Sequence, residues 1–241
     1  MDRDLKREQE ILEELKKIDT PSITNVTATY PKDKETCLGL YHPWYGKWYT
    51  DQSLKCMYPG LGPRCGYAVT CTYGVPSTDF NRLGMADLFR AIDAMPNPVV
   101  LIIKQNLPPE IKEKCGLAGG NMLTAFKSLG VVGVISDGPS RDLNEIEPMG
   151  VQYMLTGVTA GHGDFSLEAI NEPVEVCGMM VTPGDIVHMD ENGATKFPAR
   201  YLQDVLDRAK VLQDVETKRQ SLMRETSDVD EIIKIFGGIY D

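Results

Sequence analysis

The chain has 241 residues, 42% of them hydrophobic and 25% charged, which is the balance of a globular protein with a packed core. Its formal charge of −10 argues against nucleic acid and anionic membrane surfaces as partners, because both are gripped by clustered Lys and Arg. No stretch approaches the roughly 20 apolar residues of a membrane span, and the charged N-terminus has no secretory apolar run.

The six cysteines, Cys37, Cys56, Cys65, Cys71, Cys115 and Cys177, are scattered, with no C-x-x-C pair. They read as reduced thiols of a cytoplasmic protein, most of them buried, and not as a disulfide or zinc framework.

In chain order, Leu5, Ile11, Leu12, Leu15 and Ile18 fall near helical spacing and predict a helix over 4–18. Thr20-Pro21 ends it and can begin the next element. Residues 22–30 suit either a strand or a short helix. Residues 31–65 are rich in Pro, Gly, Tyr and Trp. There Tyr41, Trp44, Tyr45, Trp48 and Tyr49 recur at helix-like spacing, but Pro43 and Gly46 oppose a regular helix. This segment reads either as an aromatic mini-core holding a long loop or as a subunit contact or pocket wall.

Short apolar strands then alternate with helices. Strands are predicted at Tyr67–Tyr73, Val99–Ile103, Val131–Ser136 and Val151–Leu155, with helices at Leu83–Met95 and Gly120–Leu129. Gly130 suits the left-handed position after the second helix. Pro173–Val181 reads as β structure, Pro183-Gly184-Asp185 as a turn, and Ile186–Met189 with Ala194–Phe197 as paired strands across Asp190–Gly193. A long charged amphipathic helix is expected at 199–224. A second follows at about 229–236, with Asp228 and Glu231 as a capping pair. There is no internal repeat and no clear linker, so the bottom-up expectation is a mixed α/β domain with helical ends.

Chemistry concentrates in Gly119–Glu147, GGNMLTAFKSLGVVGVISDGPSRDLNEIE. It reads as helix, strand, then a loop at the strand's C-terminal end, where ligand sites gather in α/β sheets. Gly119 and Gly120 let backbone approach a ligand, and the free amides of a helix start favour a carboxylate or phosphate. Arg141 offers a planar fork for a carboxylate, and Asp142 a hard oxygen suited to Mg²⁺ or Mn²⁺. The plainer reading of an Arg-Asp loop pair is a solvated ion pair. His162 lies in AGHGD, a loop candidate near a pocket, where a structural or exposed histidine is the plainer reading. Cys115 reads as a small apolar residue.

This block resembles the RraA-like family, which includes the 4-hydroxy-4-methyl-2-oxoglutarate aldolases and was first named for a regulator of ribonuclease activity. Gly120 precedes Arg141-Asp142 at the family spacing, Glu145 fills the acidic position three after Asp142, and Asp137-Gly138 fills the Asp-Gly turn. Residues 173–198 resemble the closing block, with its Pro-Val start, Pro-Gly-Asp turn and Asp-x-x-Gly hairpin. Gly66–Thr70 resembles the Gly-x-Ala-Val-Thr strand. The resemblance covers roughly 60–200. Many family members carry Glu where Gly120 stands, and residues 31–60 and the tail beyond 200 are longer than usual.

The resemblance implies a β/β/α swivelling-domain fold, to which the residue patterns add N- and C-terminal helices. The residue patterns and the resemblance together divide the chain into a helix at 1–20, an α/β domain at 21–200 with an aromatic insertion at about 31–60, and a helical tail at 201–241. The resemblance implies a homotrimer or hexamer with the site near a subunit boundary, and divalent-metal chemistry (Mg²⁺ or Mn²⁺) on small 2-oxo acids. Carried over, Gly119, Gly120, Asn121 and Met122 contact substrate through the backbone, Arg141 binds it, and Asp142 holds the metal. Asp137 and Glu145 are candidates for orienting a water, against a plainer reading as turn caps. The function expected is a metal-dependent lyase, either retro-aldol or oxaloacetate-decarboxylating. The alternatives are a non-catalytic protein-binding regulator of a ribonuclease and a relative acting on another hydroxy or sugar acid.

Overall fold

The structure, a computed structural model, describes residues 4–30, 35–77 and 83–240. Of the aromatic insertion, residues 31–34 lie outside this set.

Asp4 caps α1 (Leu5–Leu15) by accepting from the Arg7 amide, and Asp19 caps α2 (Thr20–Thr27) by accepting from the Ser22 amide. With Pro21 in the first turn, that cap settles 22–27 as helix rather than strand. In the aromatic segment, Tyr41 stacks on Trp48 at 5.1 Å, and Trp48 meets Tyr49 edge-on at 4.7 Å. Trp48 is buried, but Trp44 and Tyr45 are 84% and 74% exposed, so the mini-core takes in only part of the segment.

The elements that follow are β1 (Lys55–Cys56), β2 (Arg64–Gly74), α3 (Met85–Asp93), β3 (Val99–Asn106), α4 (Pro109–Lys112), α5 (Gly120–Ser128), β4 (Val131–Ser136), α6 (Leu143–Ile146) and β5 (Gln152–Leu155). After them come β6 (Ser166–Ile170), the hairpin β7 (Val174–Val176) and β8 (Met179–Val181), then β9 (Asp185–Asp190), β10 (Gly193–Pro198), α7 (Leu202–Arg224) and α8 (Val229–Phe236). Asp228 caps α8 by accepting from the Glu231 amide at 2.9 Å, the expected pair.

The main sheet runs β1-β5-β4-β3-β2-β9-β10. Its centre, β2-β3-β4-β5, is parallel, and the remaining pairings are antiparallel. β2 is long enough to pair twice along one edge, its first part with β9 and its last part with β6, across a register shift at Thr72/Tyr73. This is the α/β class expected.

Alternate residues of the central strands point to opposite faces. Val99, Leu101, Ile103, Val134 and Tyr153 face a core closed by α3 and α5. Val100, Ile102, Ile135 and Met154 face a second core closed by the β7–β8 hairpin. Both faces are covered, which is why these strands read as continuous apolar runs. The terminal helices form a third cluster: α1, α2 and the first half of α7 pack on Cys65, Tyr67, Ile186 and Phe197. Contrary to expectation, only Cys65, Cys71 and Cys115 are buried. Cys37, Cys56 and Cys177 are half-buried, and all six are free thiols. Among the described residues no helix is long and apolar enough to cross a membrane.

Candidate active site

Two loops meet at the C-terminal ends of the parallel strands. One leads into α5, and the other joins β4 to α6. The Gly120 amide donates to Asp142 Oδ2 at 3.0 Å. A negative charge at a helix N-terminus is favourable, because the aligned peptide dipoles leave partial positive charge there. Asp142 itself sits in the left-handed region, at φ +62. The two glycines make room for this approach. A Cβ on Gly119 would lie 2.4 Å from Asp142 Oδ2, and one on Gly120 would lie 2.2 Å from Glu145 Oε1. Asp142 and Glu145 therefore sit directly over the first residues of α5.

These groups line a cavity of about 310 Å³, together with Asn121, Met122, Arg141, His162 and Phe165. The first helical bond of α5 runs from the Leu123 amide to Gly119 O, so the Asn121 and Met122 amides precede the helical ladder. Arg141 Nε is shielded from solvent and finds no hydrogen-bond partner among the described residues; Asp142 Oδ2 is 3.6 Å away. A shielded Nε–H donor without an acceptor, on a half-buried guanidinium, suits an anionic ligand.

The loops are tied together beneath the cavity. Tyr153 Oη donates to Ala118 O at 2.7 Å, and Ser140 Oγ bonds both Tyr153 Oη and Leu117 O. Ala118 is held at φ +61, an uncommon conformation for a residue with a Cβ. Burial raises the Tyr153 phenol well above its ordinary pKa, so it stays a protonated donor. From the aromatic insertion, Tyr58 Oη donates to Leu143 O at 2.7 Å and steadies α6.

Of the sequence-selected residues, Gly119, Gly120, Asn121, Met122, Arg141, Asp142 and Glu145 all line this cavity. The Gly120 amide is already engaged by Asp142. Asp137 does not line it. Its buried carboxylate receives Lys104 Nζ at 2.6 Å, Lys112 Nζ at 2.8 Å and the Gln105 amide at 2.7 Å. Neither lysine stands out in sequence, since they come from the end of β3 and from α4. His162, expected in a loop near a pocket, lines the cavity. Its loop is bonded to the site through Gly116 N–Gly161 O, a contact that no local pattern announces.

The histidine of the closing block is structural. His188 is buried, with Nε2 3.0 Å from Leu15 O and Nδ1 2.9 Å from Thr20 Oγ1. Because Leu15 O can only accept, Nε2 carries the hydrogen and Nδ1 accepts from the Thr20 hydroxyl. Burial lowers the His188 pKa. Asp190 Oδ2 accepts from the Thr20 amide, so the motif fastens α1 and α2 to the sheet.

The RraA-like family model, described as Aldolase/RraA, matches residues 41–195. A Halalkalibacterium halodurans protein named "Putative 4-hydroxy-4-methyl-2-oxoglutarate aldolase" is 28% identical over 139 residues, which is 56% of this chain and 63% of that one. The chain spans under two thirds of the length of the curated relatives it matches first. Among solved structures, an uncharacterised Pseudomonas syringae protein superposes with a TM-score of 0.69 at 18% identity, covering 93% of this chain and 92% of its own. Streptomyces coelicolor RraAS2, described as an unusual member of the RNase ES inhibitor RraA family, gives 0.65 at 22% identity, covering 89% of this chain and 98% of its own. These likenesses show the fold, and the match over 41–195 shows the family: the chain belongs to the RraA-like family.

Proposed function

We propose that the protein is a divalent-metal-dependent lyase that cleaves a carbon–carbon bond of a small 2-oxo acid. The observation that carries this reading is the cavity in which Arg141, Asp142 and Glu145 meet the first turn of α5. The aldolase name of the H. halodurans relative agrees with it.

Among the described residues, no three His, Cys, Asp or Glu side chains form a ready-made metal cage. A hydrated Mg²⁺ or Mn²⁺ keeps several waters and needs only one or two carboxylates plus substrate oxygens. Asp142 and Glu145, both packed over the start of α5, would hold it. When bound there, the cation would supply polarisation of the 2-oxo group.

The chain's own residues do the rest. Arg141 grips the carboxylate next to the 2-oxo group and fixes its plane. The Asn121 and Met122 amides, with the dipole of α5, favour negative charge as it develops on the 2-oxo oxygen. In the retro-aldol direction the C4 hydroxyl loses its proton, the C3–C4 bond breaks, C4–O becomes a carbonyl, and the electron pair remains as pyruvate enolate. Glu145 orients the water that carries the proton and returns one to C3. Asp137 is committed to its two lysines. With oxaloacetate the same site would release CO₂ and the same enolate.

The test is pyruvate release from 4-hydroxy-4-methyl-2-oxoglutarate and from oxaloacetate, measured with a coupled dehydrogenase against enzyme-free blanks. Activity with Mg²⁺ or Mn²⁺ that disappears with chelator is expected. Inactivity on both substrates, or full activity in Arg141→Ala, would overturn the reading. Assembly as a trimer or hexamer belongs to the proposal and is read by light scattering after size exclusion.

A second reading, a regulator docking on a ribonuclease, draws on the exposed Trp44 and Tyr45. Ribonuclease inhibition lost in a Trp44→Ala/Tyr45→Ala variant but kept in Asp142→Ala would favour it.

A further inference from the structure

We propose that His162 is the specificity residue of this site, receiving the remote carboxylate of a dicarboxylate substrate whose other end Arg141 holds. The inference rests on the 2-oxo-acid reading above and adds a residue that the mechanism leaves unused.

The first argument is charge. Among the described residues lining the cavity, only Arg141 and His162 can carry positive charge, while Asp142 and Glu145 are acidic. If Arg141 holds the carboxylate beside the 2-oxo group, a second anionic end must be met by something else within the cavity wall. His162 is the one remaining side chain able to donate to it as a cation.

The second argument is that His162 is held in place although it is exposed. Its loop is bonded to both site loops. The Gly116 amide donates to Gly161 O at 2.9 Å, the Thr159 amide to Ser140 O at 2.9 Å, and the Ser140 amide to Gly157 O at 3.2 Å. The imidazole lies 6.0 Å from the Phe165 ring, edge to face, and Phe165 in turn meets the buried Tyr73 ring at 5.1 Å. His162 Nδ1 is 2.9 Å from Gly163 O, which can only accept, so Nδ1 is the protonated nitrogen. That leaves Nε2 free for a ligand, as a donor to a carboxylate when the ring is charged. A histidine placed only by solvation would not need this chain of contacts from Tyr73 to the cavity.

Isothermal titration separates the head of the substrate from its tail. In Mg²⁺, pyruvate presents the head alone. 2-Oxoglutarate presents the same head and a remote carboxylate, and it has no C4 hydroxyl to be cleaved. Wild type should bind both. His162→Ala should weaken 2-oxoglutarate by about tenfold or more, the loss of one charge-assisted hydrogen bond, while pyruvate binding stays within about twofold. His162→Lys, which keeps a cation at the position, should recover part of the preference. Equal losses for both ligands, or no loss for either, overturn the proposal while leaving the 2-oxo-acid site standing. Failure of wild type to bind pyruvate overturns both.

Discussion

The amide of Gly120 and the carboxylate of Asp142 are 3.0 Å apart, and this hydrogen bond joins the two loops of the site. It requires that residue 119 have no side chain, because a Cβ there would stand 2.4 Å from Asp142 Oδ2. Gly119 has φ −69, which any residue can adopt, so alanine at this position collides without straining the backbone. Gly119→Ala should therefore fold, with stability changed by no more than about 1 kcal/mol, and lose about tenfold or more in kcat/KM as Asp142 is displaced. Thermal unfolding together with steady-state rates checks this. Equal losses in stability and activity would contradict it.

Arg141→Lys keeps the positive charge but removes the planar fork. It should raise KM by about tenfold with a smaller effect on kcat, since one point charge replaces two parallel hydrogen bonds. A variant with unchanged KM would show that Arg141 does not grip the substrate.

The Tyr153 hydroxyl holds Ala118 in its left-handed conformation beneath the cavity. Tyr153→Phe takes the 2.7 Å donor from the buried Ala118 carbonyl, while Leu117 O keeps Ser140 Oγ, at about 1–3 kcal/mol. For a chain of this size, each kcal/mol corresponds to about 2–4 °C in Tm. Calorimetry should show that loss, and activity should fall with it because the amides of α5 are positioned through this contact.

Much of this was legible in sequence, and the limits are physical. Val99–Ile103 declared a strand because both its faces are buried, and Asp228 with Glu231 declared a cap because that pairing is local. β6 (Ser166–Ile170) was missed because SLEAI is half polar and its partner, the end of β2, lies nearly a hundred residues earlier. In the site, the glycines and Arg141-Asp142 were readable through the resemblance to the RraA-like family, since an Arg-Asp loop pair alone is most simply a solvated ion pair. The direction of Asp137 was not, because Lys104 and Lys112 approach it from other elements.

Asp137 yields a prediction that separates it from Glu145. Asp137→Asn should destabilise by about 1–3 kcal/mol, since two ammonium groups lose their shared counter-charge inside a mostly buried cluster. Glu145→Gln should leave Tm nearly unchanged and reduce turnover. Denaturant unfolding of the two variants decides this, and a stable, inactive Asp137→Asn would return that residue to the chemistry.

His188 sets a pH dependence. Burial lowers its pKa in the folded protein, so on acidification the unfolded chain takes up a proton near the ordinary value of about 6.5 while the folded chain does not. This contribution is complete above that value and is lost as pH falls toward the lowered folded pKa, at no more than about 1.4 kcal/mol per pH unit. Tm measured between pH 7 and 5 should decline, and His188→Gln should decline less steeply from a lower starting point.

The central claim is that the cavity between Gly119-Gly120 and Arg141-Asp142 is a metal-dependent 2-oxo-acid site. The most direct measurement compares Mg²⁺-dependent pyruvate release by wild type and by Asp142→Asn, which keeps the size of the side chain and an oxygen for the Gly120 amide. Robust release by wild type, with a loss of about a hundredfold or more in a variant of matching Tm, is the predicted result. Equal rates in the two proteins, or no release above the enzyme-free blank by wild type, would contradict it.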